Sequence, residues 1–152
     1  MAAQEPSPFI RNANRLMVQL LRWGLPMGRM ALLTVPGRNT GLSRTTPVTL
    51  TRYQDGWSLG SPFGETDWVR NLRAAGLAEI TRRRRTIRVA VTELPPDQAA
   101  PLLMETLSGA GPLVRRVLGR YFAVTANASP AEWVEEARHH PMFILEAVRG
   151  RP

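Results

Sequence analysis

Apolar positions between Phe9 and Trp23 recur at helical spacing. Phe9, Ala13, Leu16, Met17, Leu20, Leu21 and Trp23 fall on one broad face, and Arg11, Arg15 and Arg22 gather on another. The spacing predicts an amphipathic helix over 9–23, ended by Gly24 and Pro26, whose apolar face covers one side of a core. The same pattern suits a helix lying on an anionic membrane surface. Residues 1–8 carry two prolines and no periodicity, and read as a flexible N-terminal arm.

Beyond the helix the period changes to two. Met30 to Val35 reads as a buried strand, and Pro36 to Pro47 as a polar loop. Alternation resumes at Thr45, with Thr46, Val48 and Leu50 on one side and Thr45, Thr49 and Thr51 on the other. Asp55-Gly56 is a hairpin turn, so Trp57 to Gly60 is the antiparallel neighbour. Ser61 to Glu65 forms a second loop. Thr66 or Asp67 caps a helix to about Ala75, with Trp68, Asn71, Leu72 and Ala75 on one face and Gly76 as its stop. Leu77 to Thr81 and Thr86 to Thr92 make a further hairpin around Arg82 to Arg85, with Ile87, Val89 and Val91 pointing inward. Helices follow from Pro95-Pro96-Asp97 to about Leu107, from Leu113 to Phe122, and from the capping box Ser129-Pro130-Ala131-Glu132 to about His139. Met142 to Val148 is a last strand. Residues 9–150 thus read as a single, mainly β domain with flanking helices. Hairpin connections make the sheet antiparallel, and about six strands can close into a small barrel. The crossovers of a parallel sheet are missing, which excludes a Rossmann fold.

Charge changes this picture. Twenty basic residues oppose 12 acidic ones for a net charge of +8, and every basic residue is arginine. Arginine's rigid fork suits phosphate and carboxylate, so the balance points to an anionic partner, unless the charge serves solubility alone. The Arg82 to Arg85 run has no interleaved aromatics and no recognition helix beside it, so no nucleic-acid partner is expected. The absence of cysteine excludes disulfides and thiolate sites and favours a cytoplasmic location. No apolar run approaches the ~20 residues of a membrane span.

The first loop holds the candidate chemistry. Gly37 and Gly41 permit positive φ, Arg38 and Arg44 can converge on one anion, and Asn39, Thr40, Ser43, Thr45 and Thr46 add small hydrogen-bonding groups. A phosphate cradle and a solvated hairpin loop both fit that composition. The loop lacks the lysine of a nucleoside-triphosphate P-loop, and Gly60 to Gly64 lacks the spacing of a serine nucleophile elbow. His139 and His140, adjacent at a helix end, read as cations favoured by the dipole rather than as ligands, so no metal is expected. With no nucleophile, metal site or carboxylate pair, the chain is either a binding protein or an enzyme whose cofactor carries the chemistry.

Gly37-Arg38-Asn39-Thr40-Gly41-Leu42-Ser43-Arg44-Thr45-Thr46-Pro47 resembles the G-R-[KN]-[ST]-G-x-x-R-x-x-P signature of the deazaflavin-dependent nitroreductase and F420H2-dependent quinone reductase family. Ser61-Pro62-Phe63-Gly64, followed by Trp68 to Gly76, resembles that family's S-x-x-G…W-x-x-N-L block, and His140-Pro141-Met142-Phe143 resembles the start of its last strand. The resemblance implies a split β-barrel of the flavin-reductase, FMN-binding type, and coenzyme F420 as cofactor. It implies that Arg38, Asn39, Thr40 and Arg44 meet the cofactor phosphate and that Thr45, Thr46, Pro47 and Val48 run along the cofactor. Ser61, Pro62, Trp68 and Asn71 would line its deazaflavin end. Arg70, Arg73 and the Arg82 to Arg85 turn become candidates for the polyglutamate tail, beside their reading as solvated charge. Tyr121 is a candidate proton donor. The implied activity is hydride transfer from reduced F420 to a small-molecule acceptor: a quinone, a nitro compound or an activated alkene. Thr49 replaces a tyrosine, and Pro62 or Phe63 a lysine, of better-known members. Those departures keep open a non-catalytic lipid-, haem- or flavin-binding barrel, and helix 9–23 keeps open a peripheral contact with the inner face of the cell membrane.

Overall fold

Six strands close into an antiparallel barrel in a computed structural model that describes residues 7–125 and 127–149. They are β1 (Met30–Pro36), β2 (Ser43–Tyr53), β3 (Gly56–Gly60), β4 (Leu77–Arg82), β5 (Arg85–Glu93) and β6 (Met142–Ala147), paired in the order β1-β2-β3-β6-β5-β4 and back to β1. Alternate residues fill the interior: Ala31, Leu33 and Val35 from β1, Val48 and Leu50 from β2, and Leu59, Ala78, Ile80, Val89, Phe143 and Leu145 from the others. The helices are α1 (Pro8–Arg22), α2 (Asp67–Ala75), α3 (Pro96–Ser108), α4 (Pro112–Leu118) and α5 (Pro130–Ala137). Helix α2 plugs one end of the barrel with Val69 and Leu72, both fully buried. Each such side chain contributes about 1.5–3 kcal/mol by leaving water. Helices α3 and α5 build a second core on the outer wall from Leu94, Leu102, Leu103, Trp133 and Met142.

The register fixes two ends. Pro36 pairs with Ser43, and Gly60 with Met142, so the first loop, the second loop and α2 share the upper end. The Tyr53–Gly56 and Arg82–Arg85 turns lie at the lower end.

Four expectations change. The first loop is shorter than its composition suggests: only 37–42 lies outside strands, and Ser43 to Pro47 is the start of β2, with Pro47 opposite Leu32. Strand β2 pairs with β3 only over Leu50 to Tyr53, so a proline at 47 sits where one flank is free and its missing N–H costs little. Ile87, expected to point inward with Val89 and Val91, is 49% exposed, because it lies at the lower end of the barrel beside the Arg82–Arg85 turn. The helix from Leu113 divides into α4 and a 3-10 turn over Gly119–Tyr121.

The fourth change concerns α1. Its apolar residues do not form one core-facing surface. Leu21 is buried and Met17 and Val18 are half-buried, whereas Phe9, Leu16 and Trp23 stand 81%, 62% and 66% exposed. The helix rests on β1 and β2 along a narrow stripe only. Of the expected arm at 1–8, residues 1–6 lie outside the described residues, and Pro8 already opens α1. No helix among the described residues is long and apolar enough to cross a membrane.

Candidate functional site

Two backbone hydrogen bonds close the first loop: Gly37 N–H to Leu42 O and Gly41 N–H to Gly37 O, both 2.8 Å. Gly41 takes φ of 70°, a conformation that costs glycine nothing. A Cβ placed on Gly37 would stand 3.1 Å from Thr40 Oγ1 and 4.0 Å from Arg44 Cγ, so Thr40 and the stem of Arg44 pack around that glycine.

Arg38 is held from below. Its amide donates to Asn71 Oδ1 at 3.1 Å, its Nη1 donates to the same oxygen at 2.8 Å, and its Nη2 meets Asp67 Oδ1 at 3.2 Å. Asn71 is buried on the loop-facing side of α2. This side chain therefore belongs to the first loop, as the acceptor that orients Arg38, and Asp67 joins it. Among the described residues the amides of Asn39 and Thr40 and the side chains of Asn39 and Arg44 have no hydrogen-bond partner. Donors predominate, two arginines among them, and the one carboxylate present, Asp67, is already paired with Arg38. That set fits a phosphodiester. Of the remaining residues carried over to this loop, Thr45 bonds Thr34 through the two hydroxyls at 3.0 Å, Thr46 and Pro47 are half-buried, and Val48 lies in the barrel core.

The second loop is tied to the barrel by its own polar atoms. Ser61 is buried, its Oγ donates to Gly64 O, and its amide donates to Pro141 O at 2.9 Å. Pro62 is half-buried, and Trp68 packs on the barrel core with its ring 6.4 Å from that of Phe143. Phe63 meets Tyr121 edge to face at 4.6 Å, so the 3-10 turn brings Tyr121 beside this loop. Tyr121 is half-buried, and its hydroxyl bonds no group among the described residues. Thr66 occupies the N-cap position of α2, but its hydroxyl makes no capping bond and is buried without a partner.

Sequence reasoning missed the group behind this loop. His140 is no helix-end surface cation. It is buried, its Nε2 lies 2.8 Å from Glu136 Oε1, its Nδ1 lies 3.3 Å from Ser61 O, and Phe122 stacks on its ring at 4.1 Å. Glu136 Oε1 also accepts the Ala123 amide. Both ring nitrogens thus face acceptor oxygens, one of Glu136 and one of Ser61. The i, i+4 spacing of Glu136 and His140 was the available signal. The group pins the carbonyl of Ser61.

One candidate tail contact is otherwise engaged, and another lies too far away. Arg73 bridges Glu65 at 2.6 Å and Glu93 at 2.7 Å. Hydrogen bonding to Glu93 is the main reason its guanidinium is held still more firmly charged. The Arg73 hydrogen bond, then its charge, holds the Glu65 carboxyl below its ordinary value. The Arg82 to Arg85 turn stands at the far end of the barrel, about 20 Å from the first loop at ~3.3 Å per strand residue. Arg70 remains at the upper end, 4.0 Å from Asp67.

Solved structures of low identity share this architecture. An FMN-binding, pyridoxamine 5'-phosphate oxidase-related protein from Nostoc punctiforme is 14% identical, with 95% of this chain and 84% of that one covered and a TM-score of 0.52. A Bacteroides thetaiotaomicron protein named for 5-nitroimidazole antibiotic resistance is 10% identical over 86% of this chain and 80% of that one, also at 0.52. An F420-H2 dependent reductase, FDR-A, is 18% identical over 78% and 94%, at a TM-score of 0.45. The likeness to the first two is one of fold, the FMN-binding split barrel. No curated protein matches the chain. The family model described as F420H(2)-dependent quinone reductase matches residues 11–112, which contain α1 from Arg11 onward, the first five strands, both loops, α2 and α3. That match covers more than half of the chain, so the chain belongs to the F420H(2)-dependent quinone reductase family, and its cofactor is coenzyme F420.

Proposed function

We propose that this reductase holds the F420 phosphate at 38–44 and reduces a quinone, a nitro compound or an activated alkene beside Tyr121 and the second loop. The observation that carries the reading is the set of unpartnered donors on the first loop, the amides of Asn39 and Thr40 and the side chains of Asn39 and Arg44, next to an Arg38 already fixed in place. Arg44 supplies charge and the amides supply direction. Asn71 and Asp67 keep the Arg38 fork from swinging into water, so less side-chain entropy is lost on binding.

Arg38, Arg44 and the loop amides would hold reduced F420, which would supply the hydride for the acceptor. The chain positions the reactants, excludes water and provides a proton. The Glu136–His140 pair fixes Ser61 O, which fixes the second loop against which the acceptor rests. Tyr121, whose hydroxyl has no partner among the described residues, donates the proton that balances the hydride on a reduced quinone. Pro62 and Trp68 shape the apolar wall. The test is oxidation of reduced F420 followed by deazaflavin absorbance, with a soluble quinone, a nitroaromatic and an enone offered separately. Turnover of at least one, slowed in Tyr121→Phe, supports the reading. Tight F420 binding with no turnover of any would refute it.

A further inference from the structure

Helix α1 carries three stripes rather than two. Met17, Val18 and Leu21 face the barrel. Arg11, Arg15 and Arg22 form a second stripe, all exposed, and the helix contains no acidic residue. Phe9 and Leu16, continued at the same spacing of seven by Trp23 just past the helix end, form the third, which nothing in the described structure covers. Just beyond the helix, Leu25 is 46% exposed.

The arginine turn, which the cofactor site does not use, meets the end of this helix. The Arg84 stem lies over Gly24, close enough that a Cβ there would come within 2.8 Å of it, and Arg82 donates to Gly28 O at 2.7 Å. The turn departs from local rules. Arg83 and Arg84 both take positive φ, 50° and 64°, at positions where Asn-Gly is favoured. None of Arg11, Arg15, Arg22, Arg29 and Arg82 to Arg85 forms an ion pair among the described residues. Eight unpaired arginines thus border an exposed aromatic and aliphatic stripe.

From this we infer that α1 and the Arg82–Arg85 turn form one surface that docks on an anionic lipid bilayer. Phe9, Leu16 and Trp23 enter the boundary between headgroups and acyl chains, and the arginines remain at headgroup level. Charge selects the occupant. A second copy of the chain would set like-charged arginines against each other, whereas an anionic leaflet neutralises them. The inference does not depend on the cofactor site, since it uses none of its residues.

Vesicle co-sedimentation of the full chain tests it. Phosphatidylcholine vesicles with and without phosphatidylglycerol are compared at low and high salt, with sedimentation velocity and duplex DNA binding run in parallel. The expected result is binding to the anionic vesicles alone, weakened by salt. Leu16→Ser with Trp23→Ser should weaken it about tenfold or more, because aromatic and leucine side chains leave the bilayer. Arg83→Gln with Arg85→Gln should weaken it by a similar factor, because each cation near such a surface contributes severalfold. These four side chains lie on the surface, and circular dichroism checks that the variants fold. Three results would overturn the inference. One is no binding to anionic vesicles at low salt. Another is binding that survives loss of Leu16 and Trp23. The third is a different occupant, seen either as a dimer that the serine variant dissociates or as a preference for DNA over vesicles.

Discussion

Asn71 is the most informative single position. Its Oδ1 accepts from the amide of Arg38 and from its guanidinium, and no other side chain on α2 links that helix to the first loop as closely. Asn71→Ala removes both bonds. The neutral backbone bond is worth about 1 kcal/mol and a buried charge-assisted one about 1.5–3 kcal/mol. The Arg38 side chain is 29% exposed, so water recovers part of the second term. The net loss is about 2 kcal/mol, a fall in Tm of about 4–8 °C for a chain of this size. F420 affinity should fall about tenfold, because Arg38 must then be ordered at the expense of binding. Asn71→Asp separates the two effects. It keeps an acceptor for Arg38, so Tm should stay within about 2 °C, yet it sets a carboxylate beside the phosphate and weakens F420 most at low salt. Thermal melts and deazaflavin fluorescence titrations read both quantities. An unchanged Tm in Asn71→Ala, or wild-type F420 binding in Asn71→Asp, would refute the role given to this residue.

Glu136→Ala leaves buried His140 and the Ala123 amide without their acceptor and should cost about 3 kcal/mol in a denaturant titration, as removal of one partner of a buried pair does; a loss under about 1 kcal/mol would show the pair to be unimportant for the second loop. Arg83→Asn with Arg84→Gly relieves two positive-φ arginines and should stabilise the hairpin by about 1 kcal/mol while weakening vesicle binding, so improved stability with full vesicle binding would contradict the inferred surface. The pH dependence has a definite sign. Glu65, lowered chiefly by the Arg73 hydrogen bond, and Glu132, lowered chiefly by the Ser129 amide, each contribute stability above the unfolded value of 4.5 and lose it as pH falls through the folded value. Stability should therefore hold from neutrality to about pH 5 and decline below, less steeply in Arg73→Gln; an acid limb identical in that variant would remove Glu65 from the account.

Periodicity made the barrel legible, because strands buried on one face alternate strictly and Leu33, Leu59 and Phe143 announce that face. The capping box was equally plain, and Ser129 and Glu132 bond as their spacing requires. The polar residues from Ser43 to Pro47 hid a strand, since composition read them as loop while pairing with β1 decided otherwise. At the site, the spacing of Arg38 and Arg44 was readable, but their different situations were not. Arg38 is held by Asn71 and Asp67, about thirty residues away, and only the barrel brings those partners together. Helix α1 misled for a physical reason. A helical wheel records that a face is apolar, and it does not say whether barrel or solvent lies against it. Met17, Val18 and Leu21 meet the barrel, while Phe9, Leu16 and Trp23 do not.

The central claim is that the first loop holds the F420 phosphate. Arg44→Ala tests it most directly, because Arg44 has no hydrogen-bond or ion-pair partner among the described residues, whereas loss of Arg38 breaks its bonds to Asn71 and Asp67. Titration of wild type and Arg44→Ala with F420, followed by cofactor fluorescence, should show binding that weakens about tenfold or more in the variant, at unchanged Tm and with reduced salt dependence. Equal affinity in the two proteins would contradict it.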